Sequence, residues 1–284
     1  MRQNVAILLA AVVVVAMVVA VWRYLANDAA AGEVVLSVVH GDVALEGPER
    51  DGRAQVGARL GVSDHLRTGD GRAVLSLDGG TRVRIGPSSS VVVRSVDEQG
   101  VGLELEGGAL FATVRPESGS VNVTGGGVTV QATDADFDLG VTEGVAVLET
   151  TRGEVALMGV DEPRLSAGSR AVIRNRSAAI GPIPEDLLLE VAWPQPERTR
   201  SEETRVSGTT APGAKVTLSG AFGSRTVTAD SDGNFTASVP LQEGENPIDV
   251  VATDLLGKEI RVPGILQTRD TRGPTFRGGV EYGN

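Results

Sequence analysis

Three carboxylates, Asp134, Asp136 and Asp138, alternate along one short stretch. In an extended strand they share a face and would present three like charges to a cation. A solvated strand face beside Phe137 accounts for them as well. Asp230-Ser-Asp-Gly-Asn234 opens like a calcium loop, but its sixth place is Phe235 rather than glycine and its twelfth is Leu241 rather than glutamate. The bidentate ligand is missing, so a turn in which Asp and Asn bond to local amides is the simpler reading. Gly107-Gly108 and Gly125 to Gly127 lack the Lys-Ser/Thr and strand-to-helix setting of a phosphate loop. Ser88 to Ser90 need a histidine as base to act as nucleophiles, and neither His40 nor His65 stands in a recognisable arrangement with them. No catalytic, cofactor-binding or metal residue is assigned, and the chain is expected not to be an enzyme.

Composition narrows the classes further. The 284 residues carry a formal net charge of -11 and no cysteine. Disulfides, thiolate nucleophiles and cysteine metal sites are thereby excluded. An acidic balance argues against nucleic acid as a partner, because nonspecific binding draws on Lys and Arg neutralising phosphates. Thirty-seven glycines and thirteen prolines among many valines and threonines indicate short strands and tight turns.

The elements that would hold any site begin after Val5 to Trp22, eighteen residues without a charge or strongly polar group. A helix of that length covers about 27 Å, close to the hydrocarbon core of a bilayer. Trp22, Arg23 and Tyr24 suit the headgroup level. The expectation is an uncleaved signal-anchor helix over 5–22, although Ala29-Ala30-Ala31 offers a cleavage site. Residues 1–4 form a cytoplasmic stub in this reading. The later domains lie in the periplasm of a bacterial inner-membrane, single-pass protein.

From Glu33 to Arg176 short alternating runs follow one another. Val74 to Asp78 and Thr81 to Ile85 flank Gly79-Gly80, a hairpin signal. The same grammar places VGLELE and ALFATV around Gly107-Gly108, and SVNV and VTVQA around Gly125 to Gly127. VAVLET and EVALMG bracket Thr151-Arg152-Gly153. Strands of four to six residues spaced by glycine turns predict a sandwich, jelly roll or β-solenoid-like body. Its core rests on Val, Leu, Ile and Ala.

The linear order of these pieces carries a resemblance. VGARLGVSDHLRT (Val56 to Thr68), then GDGRAVLSLDGGTRVRIGPSSSVVV, then VGLELEGGALFATV, resembles the extracytoplasmic domain of the FecR family over about 33–173. The resemblance implies a β-rich periplasmic domain on a single-pass protein. In the founding type, a cytoplasmic N-terminal domain relays a transport signal to a sigma factor. Four residues ahead of the expected membrane span leave no room for that domain. The family's Gly-Thr pair before a phenylalanine is also replaced, in TDADF, by Asp134-Ala135 ahead of Asp136-Phe137.

A Pro-rich and charged linker is expected over 177–204, within which Leu187 to Val191 reads as a strand. From 205 to 266, three strand pairs turn at Pro212-Gly213, Asp230 to Asn234 and Leu256-Gly257. They predict a small antiparallel sandwich of immunoglobulin-like architecture. The order TxPGAxV and DxxGxFxxxVxLxxGxNxIxVxAxDxxG resembles bacterial Ig-like modules of the kind attached to glucodextranases, which implies a spacer or binding unit. Residues 267–284 are glycine-rich with little to bury and are expected to be disordered, Phe276 and Tyr282 being their only aromatics.

The fold class expected is therefore an all-β ectodomain of two bodies behind one transmembrane helix. The function expected is a non-enzymatic, membrane-inserted envelope protein that presents both bodies to a protein partner, in assembly or signalling. The alternative is glycan or peptidoglycan binding, with Phe222 and Phe235 the candidate aromatic platform of the Ig-like body.

Overall fold

The computed structural model describes residues 33–271, apart from 49, 143, 196 and 197. The chain forms two compact units that meet in sequence between Ile183 and Pro184.

The first unit opens with β1 (Val34–His40), β2 (Val43–Gly47), β3 (Arg50–Arg53) and β4 (Arg59–Leu60). It continues through β5 (His65–Thr68), β6 (Arg72–Leu77), β7 (Arg82–Ile85) and β8 (Ser90–Asp97). The long β9 (Gly100–Thr113) is followed by β10 (Ser120–Gly125), β11 (Val128–Ala132) and β12 (Ala135–Thr142). A second long strand, β13 (Val145–Met158), precedes β14 (Arg164–Ser166), β15 (Ser169–Arg174) and β16 (Ser177–Pro182).

These strands make two sheets. The first runs β16-β15-β13-β12-β9-β7-β6-β1-β4, and the second runs β3-β2-β5-β8-β9-β10-β11-β13-β14. β9 and β13 belong to both. The ring β9-β12-β13-β11-β10 therefore closes on itself as a five-stranded barrel.

Strands pass from sheet to sheet at glycine corners. Gly41-Asp42 joins β1 to β2, Gly69 to Gly71 joins β5 to β6, and Gly108 bends β9 in mid-strand. The corners stack: the Gly69 N–H donates to Asp42 O at 2.9 Å, and the Ser88 N–H donates to Gly69 O at 2.7 Å. The Ala109 N–H donates to Ser89 Oγ at 2.9 Å. A second row forms where Gly153 bends β13, with the Ala167 N–H donating to Gly153 O at 2.9 Å. Gly108 and Gly153 have φ of +91° and +74°, a region that favours glycine. A Cβ on Gly108 would also meet Ser89 Cα at 2.5 Å.

Between the sheets lies one apolar core. Leu36, Leu75, Ile85, Leu103, Leu110, Phe137, Leu148 and Ile173 are essentially inaccessible there. Alternation along each strand supplies the inward residues, as in β6, where Ala73 and Leu75 are fully buried.

Four expectations are corrected by this architecture. The body is a pair of strand-sharing sheets with a closed barrel, in place of a jelly roll or solenoid. Gly107-Gly108 and Thr151-Arg152-Gly153 do not reverse the chain; they bend single strands of fourteen residues. The membrane helix over Val5 to Trp22 lies outside the described residues, and among the described residues no helix is long and apolar enough to cross a membrane. The helical segments described are the two 3-10 turns Asp78–Gly80 and Pro116–Ser118, because the apolar residues alternate in strands and bury one face each. Insertion in the membrane, a signal anchor, and a single-pass topology with cytoplasmic N-terminus and periplasmic domains therefore find no support in the described fold.

The second unit contains β17 (Glu190–Ala192), β18 (Arg198–Thr199), β19 (Glu203–Thr209), β20 (Lys215–Gly220) and β21 (Gly223–Thr228). After them come β22 (Asn234–Pro240), β23 (Pro247–Thr253), β24 (Glu259–Ile265) and β25 (Thr268–Arg269). A three-stranded sheet, β17-β19-β22, faces a four-stranded one, β21-β20-β23-β24, while β18 pairs with β25. Val206, Val216, Leu218, Phe235, Val239 and Val250 fill the space between. Stretch 177–204 gives β16 to the first unit and Leu187 and β17 to the second. Phe276 and Tyr282, with the tail from residue 272 on, lie outside the described residues.

The corner geometry makes a quantitative prediction. Gly57 has φ +87° with open space where a Cβ would sit. Gly57→Ala should cost about 1–2 kcal/mol, the penalty for the left-handed region alone. Gly108→Ala adds overpacking against Ser89 and should cost at least about 2 kcal/mol more. Chemical denaturation of the two variants checks the difference; equal losses would mean that the corner tolerates a side chain.

Candidate functional site

Two of the alternating aspartates, Asp134 and Asp136, are brought together with arginines, while Asp138 stands opposite Phe111 of β9. Asp136 sits on β12 opposite Thr113 of β9 and Arg152 of β13. Arg152 Nη1 donates to Asp134 at 2.7 Å, and its Nη2 donates to Asp136 at 3.1 Å and to Val114 O at 3.0 Å. Arg115 Nη1 donates to Asp136 at 2.9 Å. Burial alone would raise the Asp136 carboxyl, but the hydrogen bonds from Arg152 and then Arg115, with their charges, hold it below the ordinary carboxylate value. The network straps the β13 bend to the end of β9. A cation is not needed to balance it.

The Asp230 loop is a turn that the same unit uses twice. Asp230 Oδ1 accepts the N–H groups of Asp232 and Asn234, both at 2.9 Å. Asp254 Oδ1 accepts those of Leu256 at 3.0 Å and Lys258 at 2.8 Å. Gly233 and Gly257 take φ of +85° and +88° at the same place in each. The second copy carries Lys258 where the first has Asn234, so the shared geometry belongs to the backbone and not to a bound ion. The Asn234 amide, more than any other group, lowers the Asp230 carboxyl from its ordinary value.

Sequence separation hid one cluster. His65 on β5, Ser90 on β8 and Glu106 on β9 meet on the outer face of the second sheet. His65 Nε2 lies 2.6 Å from Ser90 Oγ and 3.1 Å from Glu106 Oε2, and Ser90 Oγ donates to Glu106 Oε2 at 2.8 Å. Nucleophilic serines need the histidine free to take the hydroxyl proton, with a carboxylate on Nδ1 to orient the ring. Here serine and carboxylate crowd onto one ring nitrogen, and among the described residues no carboxylate reaches Nδ1. The cluster clasps three strands just before the Gly108 bend.

No group of three or more His, Cys, Asp or Glu among the described residues is placed to hold a metal ion. Phe235 is buried in the second core, and Phe222 is half-buried against Gly220. Trp193 packs over Gly264. Of the two aromatics expected to form a glycan platform, Phe235 lies in the core and Phe222 is part-exposed.

What stands open is the outer face of the first sheet over β1, β6, β7 and β9. Register places Val38 beside Val74, Val74 beside Arg84, and Arg84 beside Phe111. Arg84 lies over the Phe111 ring at 4.4 Å. Arg72, Arg82 and Arg84 are exposed and have no carboxylate partner among the described residues. Several other arginines of the unit are matched, Arg67 with Glu46, Arg94 with Glu104 and Arg164 with Glu154. Val38, at 47% exposure, adds apolar surface beside them.

Two β units, a strand-sharing double sheet and a seven-stranded sandwich with two short strands alongside, define a modular β protein without a reaction centre in the described residues. The modules are identifiable: the chain carries a FecR protein domain, matched over residues 64–156, and a bacterial Ig domain, matched over 192–261. Two crystal structures of a candidate anti-sigma factor from Parabacteroides distasonis ATCC 8503 are similar at 19% and 18% identity, each with a TM-score of 0.36. Each match covers 45% of this chain, which spans 59% of the length of that one. No curated protein matches the chain.

Two measurements follow from these contacts. Asp136→Ala should destabilise the first unit by about 2 kcal/mol near neutral pH. Because the folded carboxyl titrates below its unfolded value of about 3.9, its contribution is complete above that value and fades as pH falls through the folded one. The gap between variant and parent should close at the acid end of a pH series of denaturation curves; a constant gap would mean that charge plays no part. A fluorophosphonate probe should leave Ser90 unlabelled. Labelling that vanishes in His65→Ala would establish an activated serine.

Proposed function

We propose that this chain works by binding protein, through its FecR and bacterial Ig domains, and not by catalysis. The observation that carries the reading is the face around Phe111, where three arginines without carboxylate partners among the described residues stand beside exposed valine and a half-exposed aromatic ring. Arginine and aromatic side chains are enriched at protein interfaces, where a desolvated guanidinium on a ring is stronger than either group in water. A partner surface with carboxylates would complete the pairing that the chain itself leaves open. The apolar component favours protein over a uniformly charged polymer. Two domain types used elsewhere as interaction modules fit the same reading.

The test uses the full chain with a photo-crosslinking residue at position 38, compared with one at 158, on the opposite sheet. A discrete protein adduct from position 38 should form in the native cells and be lost in Arg82→Glu/Arg84→Glu. No adduct at either position, or one indifferent to charge reversal, would contradict the reading.

A further inference from the structure

The two sheets of the FecR-bearing unit are joined on one side by the barrel strands. On the other they end separately, the first at β4 and the second at β3. Beside the β3 edge opens a cleft of about 220 Å³, floored by Leu45 and Ala58 and rimmed by Arg50, Gly52, Arg53 and Gln55.

β3 is an edge with its bonding groups turned outward. Among the described residues it pairs only with β2, and all four of its residues are exposed. The Ala54 N–H donates to Val43 O at 2.9 Å, which sets the phase of the ladder. In an antiparallel pair the hydrogen-bonded positions alternate, so they fall at 45/52 and 47/50. The N–H and C=O of Asp51 and Arg53 consequently point away from β2, and neither residue has a backbone partner among the described residues. Proteins ordinarily cover, shorten or twist away such an edge.

Side chains around the edge have a definite chemistry. Arg50 reaches across the cleft, its Nη1 donating to Arg59 O at 2.8 Å. Arg53 Nη2 donates to Gly41 O at 3.2 Å. Each guanidinium thus keeps most of its donors, and neither has a carboxylate partner among the described residues, in a chain of net charge -11. Asp51 is the one carboxylate in the lining, against two arginines. Gly52 has open space where a Cβ would stand, which leaves room above Leu45 for a side chain from outside.

We propose that the β3 edge and its cleft form a strand-addition site for an extended, carboxylate-bearing segment of a partner protein. The segment's backbone pairs with the outward groups of Asp51 and Arg53. A side chain enters over Leu45 and Ala58 beside Gly52, and separate carboxylates of the segment meet Arg50 and Arg53. Backbone pairing supplies affinity, and the pocket and arginines supply selectivity. An edge of four residues accommodates about 13 Å of extended chain. This site is separate from the face around Phe111. It also precedes residue 64, where the FecR match begins.

The experiment measures binding of the full chain to fluorescent acetyl-(Thr-Glu)5-amide by anisotropy, with the (Thr-Lys)5 counterpart alongside. The glutamate peptide should bind and the lysine peptide should not. Asp51→Pro removes an outward N–H without taking a bond from the β2 ladder, as edge prolines do. It should weaken binding at least about tenfold even though it deletes a like charge. Arg50→Glu/Arg53→Glu should weaken it at least as much and leaves the backbone intact should the proline variant fail to fold. Absence of binding up to millimolar peptide would overturn the proposal. So would equal binding of both peptides, or glutamate binding unaffected by either variant. Self-association of the chain abolished by Asp51→Pro would also overturn it, assigning the edge to a second copy. These outcomes are independent of crosslinking at position 38.

Discussion

The FecR-bearing unit depends on a constraint at two backbone positions, Gly108 and Gly153, each the ninth residue of a fourteen-residue strand. A straight strand of that length would extend about 45 Å and could serve only one sheet. With φ positive at the ninth residue, β9 and β13 turn from one sheet into the other and keep pairing on both sides of the bend. Because the same two strands supply four of the five pairings in the barrel ring, the closure and the core between the sheets follow from those bends. Orthogonal sheet packings use such corner-turning strands for the same purpose. The polar networks reinforce this arrangement. Arg152 and Arg115 hold Asp136 at the Gly153 bend, and the His65-Ser90-Glu106 clasp crosses three strands just before Gly108.

Charge is largely spent on structure in this molecule, and that makes the exceptions informative. Arg67, Arg94, Arg152 and Arg164 of the first unit each lie against a glutamate or aspartate on a neighbouring strand, a cross-strand pattern worth little per pair at the surface. Arg170 and Glu149 do the same while nearly inaccessible, at 2.9 Å. Against that background Arg72, Arg82 and Arg84 around Phe111, and Arg50 and Arg53 at the β3 edge, have no carboxylate partner among the described residues of an acidic chain. One place also exposes apolar surface, and the other presents outward backbone N–H and C=O groups without a protein partner among the described residues. Recognition of protein surfaces with carboxylates is the chemistry common to both.

Much of the fold was legible because alternation and glycine turns are local signals. The hairpins at Gly79-Gly80 and Gly125 to Gly127 stand where the sequence puts them, as β6–β7 and β10–β11. Glycine reports that a positive φ is required; it does not report whether the chain then reverses or bends, and so the corners inside β9 and β13 read as turns. The His65 cluster was illegible for another reason: its members lie on three strands, and only the register of β5, β8 and β9 brings them within 3.1 Å. Asp134 and Asp136 were visible as carboxylates, but the arginines that neutralise them come from β13 and from the chain beyond β9. The β3 edge could not be read at all, because an edge is defined by what fails to pair with it. Apolar length alone suggested a membrane helix at Val5 to Trp22, and the described fold contains no helix able to cross a membrane.

Native-state hydrogen exchange along β9 and β13 tests the corner constraint most directly. If strand sharing makes the two sheets one cooperative body, amides of residues 101–105 and 109–112 should exchange with a common free energy, equal to that of global unfolding. The halves of β13 on either side of Gly153 should match them. A second sheet that opens at a distinctly lower free energy than the first, with the break at Gly108 and Gly153, would contradict the account, because the bends would then be hinges between separate units.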